Sequence, residues 1–101
     1  MVNLVAVQMT STPSVEDNLN HVEQALANEQ VPKDSLVVLP ECFACFGTKD
    51  GELLNAAEVK DEGLIQQRLS ALAKAHECYI VSGTFPMATN DASKFSAACL
   101  L

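Results

Sequence analysis

The feature that most constrains this fold is a set of short runs that are apolar at nearly every position. The first is "VNLVAVQM" at residues 2–9, and the second is "SLVVLP" at 35–40. Neither shows the apolar and polar alternation of a strand with one face in water, so each predicts a strand covered on both faces, inside a helix-flanked sheet. A third strand is predicted for "CYIVSGTF" at 78–85, and a fourth begins in "KFSAACLL" at 94–101.

Two helices are predicted between these strands. Ser14 and Asp17 fit a capping box that opens the first helix, which should end before Pro32. The apolar residues of this helix fall on one face: Leu19, Val22 and Leu26. A second helix is predicted from 61 to about 76, with the apolar stripe Leu64, Ile65, Leu69, Leu72 and Ala73.

Residues 43–59 show no clear period, and a long loop of the kind that often carries function is predicted there. The order of elements is therefore strand, helix, strand, loop, helix, strand, strand. This order predicts the α/β class, with largely parallel pairing of the first strands.

Length and charge limit what the chain can be. A chain of 101 residues supplies one small domain, and a net charge of −7 without any basic run makes nucleic acid and anionic membranes poor partners. Small molecules or other proteins are the expected partners. Four cysteines occur without a signal-peptide pattern, so free thiols in a reducing cytoplasm are expected.

The candidate site is Glu41, which directly follows the second predicted strand and Pro40. Ligands of open α/β sheets bind outside the carboxyl ends of strands, so Glu41 could be a catalytic base, but an acid there can also be a helix cap or a surface residue. Packing between Pro40 and Phe43 would shield the carboxylate partly from water, as suits a general base. Phe43 and Phe46 could line a pocket beside it, or could belong to the core.

Cys42 and Cys45 have the C-x-x-C spacing of zinc and redox sites. No second pair follows, and the motif does not open a helix, so we expect no metal site and no cofactor. A thiol-based redox module is nevertheless kept as one hypothesis for the chain, beside the two that are described below. Neighbouring side chains along an extended segment point to opposite sides, so Cys42 and Glu41 should not share a site.

Four segments carry a resemblance to a known family: "VAVQM" at 5–9, "NL" at 18–19, "VVLPECF" at 37–43 and "VSGTFP" at 81–86. In this order and spacing they resemble the nitrilase superfamily of carbon-nitrogen hydrolases, and the wider sequence looks most like its small-amide hydrolases, which act on dicarboxylate monoamides or deaminated glutathione. The resemblance implies a four-layer α-β-β-α sandwich. Residues 1–101 would be the incomplete N-terminal portion of that single domain.

The resemblance also implies a chemistry. Family members use a Glu, a Lys and a Cys to hydrolyse an amide to a carboxylic acid and ammonia through a Cys thioester, and the Glu maps onto Glu41 as general base. The positions of the Lys and the Cys lie beyond residue 101. The expected full-length protein is a homo-oligomeric enzyme for a small-molecule amide, and the 101 residues alone are expected to be inactive.

A second hypothesis comes from a different class of protein. The last predicted strand is apolar to its final residue, Leu101. The chain could therefore be a non-catalytic α/β interaction module that pairs with a partner through this strand, with Glu41 as a cap.

Overall fold

The computed structural model of the chain describes residues 2–47 and 51–101. In chain order its elements are β1 (Leu4–Ala6), α1 (Val15–Asn28), β2 (Leu36–Val38), α2 (Glu52–Ala56), α3 (Leu64–His76), β3 (Tyr79–Val81), β4 (Phe85–Ala88) and β5 (Phe95–Ala98). The mixture of helices and sheets is the predicted α/β class.

The first three strands form a parallel sheet in the order β1-β2-β3, with Leu4 opposite Leu36 and Leu36 opposite Tyr79. The predicted parallel pairing of the first strands is therefore confirmed. β4 and β5 form a separate antiparallel pair. Because parallel neighbours end on the same edge, the segments that follow β1, β2 and β3 meet at one side of the sheet.

The two faces of the parallel sheet differ, and we call them the helix face and the open face. The helix face carries the middle residue of each strand, Val5, Val37 and Ile80. These pack in one core cluster with the buried residues of α1 and α3: Leu19, Val22, Leu26, Ile65, Leu69 and Leu72. The open face carries the other residues of the three strands: Leu4, Ala6, Leu36, Val38, Tyr79 and Val81.

The prediction that the first strand is covered on both faces is wrong for the described part of the chain. β1 lies at an edge of the three-stranded sheet, and Leu4 on its open face is 73% exposed. Val38 and Tyr79 on the same face are also exposed. The sequence pattern predicts a covering layer, and none of the described residues supplies it.

Helix α1 begins as predicted. The Asp17 N–H donates to the Ser14 Oγ over 3.2 Å, which caps the first turn, and the predicted apolar stripe is buried. Helix α3 begins three residues later than predicted, and Leu64 of its predicted stripe is 46% exposed. Its first turn is capped by a residue that lies seven positions earlier in the chain, because Glu58 Oε2 accepts from the Ile65 N–H over 2.6 Å.

Two other predictions need correction. The run at 78–85 is not one strand, because β3 ends at Val81 and Gly83 takes a left-handed φ of 66° before β4 begins. The predicted loop at 43–59 contains the short helix α2, and its residues 48–50 lie outside the described ranges. In the described ranges, no helix combines the length and the apolar character that a membrane span requires.

Candidate functional site

Glu41 lies where β2 ends, at the middle of the parallel sheet. The Leu39 N–H still donates to the Val81 carbonyl oxygen over 2.9 Å, but Pro40 has no N–H with which to continue the ladder. Glu41 and Cys42 then form a turn, and Cys42 has a left-handed φ of 55°. The expected extended path past Glu41 is therefore wrong, and so is the expected shielding, since the Glu41 side chain is exposed.

The turn at Glu41 is supported from behind by the segment that follows β3. Thr84 Oγ1 accepts from the Cys42 N–H over 2.8 Å. Gly83 packs so closely that a Cβ there would lie 2.1 Å from the Pro40 carbonyl oxygen. Only glycine fits this position, because a side chain would collide with backbone that cannot move without moving β2.

Beside Glu41 is a recess of about 300 Å³. Its walls come from two segments that we call the β1 loop (residues 7–13) and the β2 loop (residues 39–46). The lining residues are Met9, Thr10 and Ser11 from the first, and Pro40, Glu41 and Phe46 from the second. The site is therefore a cleft between two loops at the carboxyl ends of neighbouring parallel strands, where α/β proteins bind ligands.

Hydrogen bonds hold the two loops together. Ser11 Oγ donates to the Phe43 carbonyl oxygen over 2.7 Å, and the Phe46 N–H donates to the Thr12 carbonyl oxygen over 2.9 Å. The Asn18 amide joins them from α1, since Nδ2 donates to the carbonyl oxygens of Thr12 and Ala44, each over 2.7 Å. The distance between the loops is thus fixed by backbone groups and two side chains.

Asn18 was given no role by the sequence patterns, although a signal was present. It lies four residues before Val22 and next to Leu19, so it falls on the apolar face of α1, and it is 2% exposed. A polar residue inside a helix's apolar stripe needs partners, because a buried amide without hydrogen bonds is costly. That mismatch could have marked it before the structure was known.

The two predicted aromatic lining residues are in different places. Phe46 is 56% exposed and lines the recess next to Glu41. Phe43 is fully buried in the core cluster and is absent from the recess wall. Substrate contact stays a prediction for both.

The two cysteines of the C-x-x-C pair differ in exposure, since Cys45 is buried and Cys42 is partly exposed. All four cysteines are free, and the Cys45 Sγ lies buried and donates to the Pro13 carbonyl oxygen over 3.6 Å. Burial raises the pKa of the Cys45 thiol, and the nearby Glu52 raises it further, so the reactive thiolate is disfavoured. Within residues 2–47 and 51–101, no three His, Cys, Asp or Glu side chains are arranged to hold a metal ion.

These features define an α/β protein with an acidic residue in a cleft at the carboxyl ends of its parallel strands. Comparison with known proteins supplies the family. The family model for carbon-nitrogen hydrolases matches residues 4–101, and the chain belongs to that family.

A solved structure agrees with this assignment. The chain is similar to Nit3 of Saccharomyces cerevisiae, described as a member of branch 10 of the nitrilase superfamily, with a TM-score of 0.73 and 26% sequence identity. The match covers 95% of this chain and 37% of the Nit3 chain, so the sequence spans little more than a third of that structure. A search among curated proteins found no match. The predicted resemblance to the nitrilase superfamily and its α/β fold is confirmed.

Proposed function

We propose that the natural protein containing this chain hydrolyses a small-molecule amide to a carboxylic acid and ammonia. Glu41 is the general base of this reaction. The observation that carries the proposal is the position of Glu41 at the recess where β2 ends, in a chain of the carbon-nitrogen hydrolase family. Residues 1–101 form the N-terminal portion of one catalytic domain and are inactive alone.

The reaction needs three groups. Glu41 accepts the proton of a Cys thiol, the thiolate attacks the amide carbon, and ammonia leaves after taking up a proton. Water, activated by the same carboxylate, then hydrolyses the thioester to the carboxylic acid. The Cys and the Lys of this reaction would lie in the part of the protein that follows residue 101, as the family resemblance implies.

The exposure of Glu41 supports this division of roles. A general base must lie within hydrogen-bond distance of the proton that it takes. Because the Glu41 carboxylate is exposed at the rim of the recess, a thiol on another segment of the protein can approach it and donate its proton. Phe46, also exposed at the recess, would form an apolar wall for the carbon chain of the substrate.

The substrates of first choice are monoamides of short dicarboxylic acids and deaminated glutathione, as the sequence resemblance implies. We further propose a homo-oligomer without cofactor or metal. The four free cysteines support a location in the reducing cytoplasm.

The first measurement is the intact mass of the natural gene product. The chain has a mass of 10.8 kDa, and a product more than twice as heavy can contain the missing Lys and Cys. A product of 10.8 kDa refutes the hydrolase proposal. It favours instead the interaction module, for which the pairing strand would be β5 and the exposed Leu101 beyond it.

The second measurement is ammonia release from a panel of small amides. We expect Glu41→Gln to lower kcat by about 10²- to 10⁴-fold, the usual contribution of a general base. The matched control is Glu16→Gln, which makes the same change at an exposed position of α1. Full activity in Glu41→Gln, or equal losses in the two variants, would refute the role of Glu41.

A further inference from the structure

We propose that Asn18 is the positioning residue of the Glu41 site, and that it acts by holding the β1 loop and the β2 loop at a fixed separation. The effect on catalysis rests on the proposed function. The effect on the two loops does not, and it can be tested separately.

The hydrogen bonds of Asn18 use nearly the full capacity of one amide. Nδ2 donates to the carbonyl oxygens of Thr12 and Ala44, and Oδ1 accepts from the Thr12 N–H over 2.9 Å. A carboxamide is the side chain that combines two donors with an acceptor at this size. An aliphatic residue in its place would leave buried backbone groups of both loops without partners.

Among the described residues, the buried polar side chains are Asn18, Ser35 and Ser82. Ser35 Oγ donates to the Pro32 carbonyl oxygen within its own turn, and Ser82 Oγ accepts from the Leu100 N–H. Asn18 is the member of this group that bonds to both loops, at Thr12 and at Ala44. Its hydrogen bonds therefore couple the two loops to each other.

The helix gives Asn18 a rigid mount. Its neighbours Leu19 and Val22 are fully buried in the core cluster, so the amide cannot shift without disturbing the packing of α1. The loops are otherwise irregular backbone. The hydrogen bonds of Asn18 therefore hold both loops in fixed positions relative to the core of the protein.

The fixed position of the β2 loop matters for Glu41 because the Glu41 side chain is exposed and is not held by burial in the core. The location of the carboxylate is then determined by the backbone of the β2 loop, which Asn18 anchors at Ala44, three residues further along the chain. Small displacements of a catalytic group lower the rate strongly, by as much as about 100-fold for 1 Å. Loosening the loop should therefore affect kcat more than KM.

The test uses Asn18→Asp in the natural full-length protein. The variant keeps the shape and the oxygen that accepts from the Thr12 N–H, but it places a second oxygen against two carbonyl oxygens. The matched control is Asn20→Asp, the same change two residues along α1, where the oxygen that accepts from Arg68 is retained. Ser11→Ala is a milder second variant, which removes only the bond to Phe43.

Two readouts are measured in each variant. In Asn18→Asp, we expect amide hydrogen exchange to become at least about 10-fold faster in both loops, while the peptides of α3 and β3 keep their protection. We expect kcat to fall by about 10- to 100-fold with KM within about threefold. Ser11→Ala should change both readouts in the same direction by less, and Asn20→Asp should change neither.

The outcomes separate the two claims. Unchanged exchange in the loops of Asn18→Asp and Ser11→Ala overturns the positioning role whatever the activity. Exchange that rises equally in all peptides also overturns it, because Asn18 would then be a general stability residue. If loop exchange is faster in Asn18→Asp but the wild-type protein releases no ammonia from any amide, the coupling of the loops is supported and the proposed function is refuted.

Discussion

The two faces of the parallel sheet have similar residues and opposite environments. On the helix face, Val37 and Ile80 are buried under α1 and α3, whereas Val38 and Tyr79, their immediate neighbours, are exposed on the open face. Alternation along a strand decides which residue faces which side, but it does not decide whether that side is covered.

The difference between the two faces shows that an apolar strand pattern can predict a covering layer that the described residues do not supply. The six open-face side chains are all apolar or aromatic, a composition typical of a surface that packs against another layer. We expect this face to be covered in the natural protein, as the sandwich implied by the family resemblance requires. Four experiments, three with paired substitutions and one with thiol labelling, test the contrast between covered and uncovered positions.

The largest effect is expected at Gly83, behind the site. Gly83→Ala places a Cβ 2.1 Å from the Pro40 carbonyl oxygen, and we expect a loss of about 4 kcal/mol or more in the free energy of unfolding. The control is Gly51→Ala, which shares a left-handed φ, while in the described ranges no heavy atom beyond its chain neighbours lies within 4 Å of the added Cβ. Backbone strain alone should cost it about 1–2 kcal/mol. Equal losses in urea unfolding would show that φ, and not the close approach, determines the effect.

Next in size is the paired test of the two faces. Val37→Ala should lower the free energy of unfolding by about 1.5–3 kcal/mol, because a fully buried valine loses its packing. Val38→Ala makes the same change one residue along the strand, and in the isolated chain its effect should stay within about 0.5 kcal/mol. In the full-length protein we expect the two losses to become similar. A Val38→Ala effect that stays small there would contradict a covering layer.

A smaller effect is expected at the start of α1, which supports the helix face. Ser14→Ala removes the acceptor of the Asp17 N–H and should cost about 1 kcal/mol in thermal or urea unfolding. Ser70→Ala, at an exposed position inside α3, should change the stability by less than about 0.5 kcal/mol. A larger loss at Ser70 than at Ser14 would argue against the cap.

The smallest effect concerns the buried and exposed thiols. Because burial raises the pKa of Cys45, its alkylation by iodoacetamide near pH 8 should be slower than that of the exposed Cys99, as measured by peptide mass spectrometry. The raised pKa means that the folded state holds the thiol proton more tightly than the unfolded state. The associated stability is therefore present below the ordinary thiol pKa of about 8.5 and is lost as the pH rises above it. Faster labelling of Cys45 than of Cys99 would contradict the buried geometry.

Much of the architecture could be predicted from local patterns. The apolar runs marked the parallel strands, the 3.6-residue period marked the buried face of α1, and the Ser14 cap marked its first turn. Glu41 was also placed at the end of β2, since Pro40 stops the ladder there. These features depend on residues that are neighbours in the sequence, which is why a single sequence contains them.

The remaining features depend on contacts between distant residues. Gly83 against Pro40 breaks the run at 78–85, Glu58 caps a helix several residues away, and Asn18 joins two loops that α1 and β2 separate in the chain. Residue type alone does not show which groups will meet, since each contact is fixed only when helix and sheet pack. The sequence by itself determined the first two strands, the helix α1 and the position of Glu41 along the chain. Only the tertiary structure decided its surroundings, because close packing selects the backbone conformations that bring these groups together.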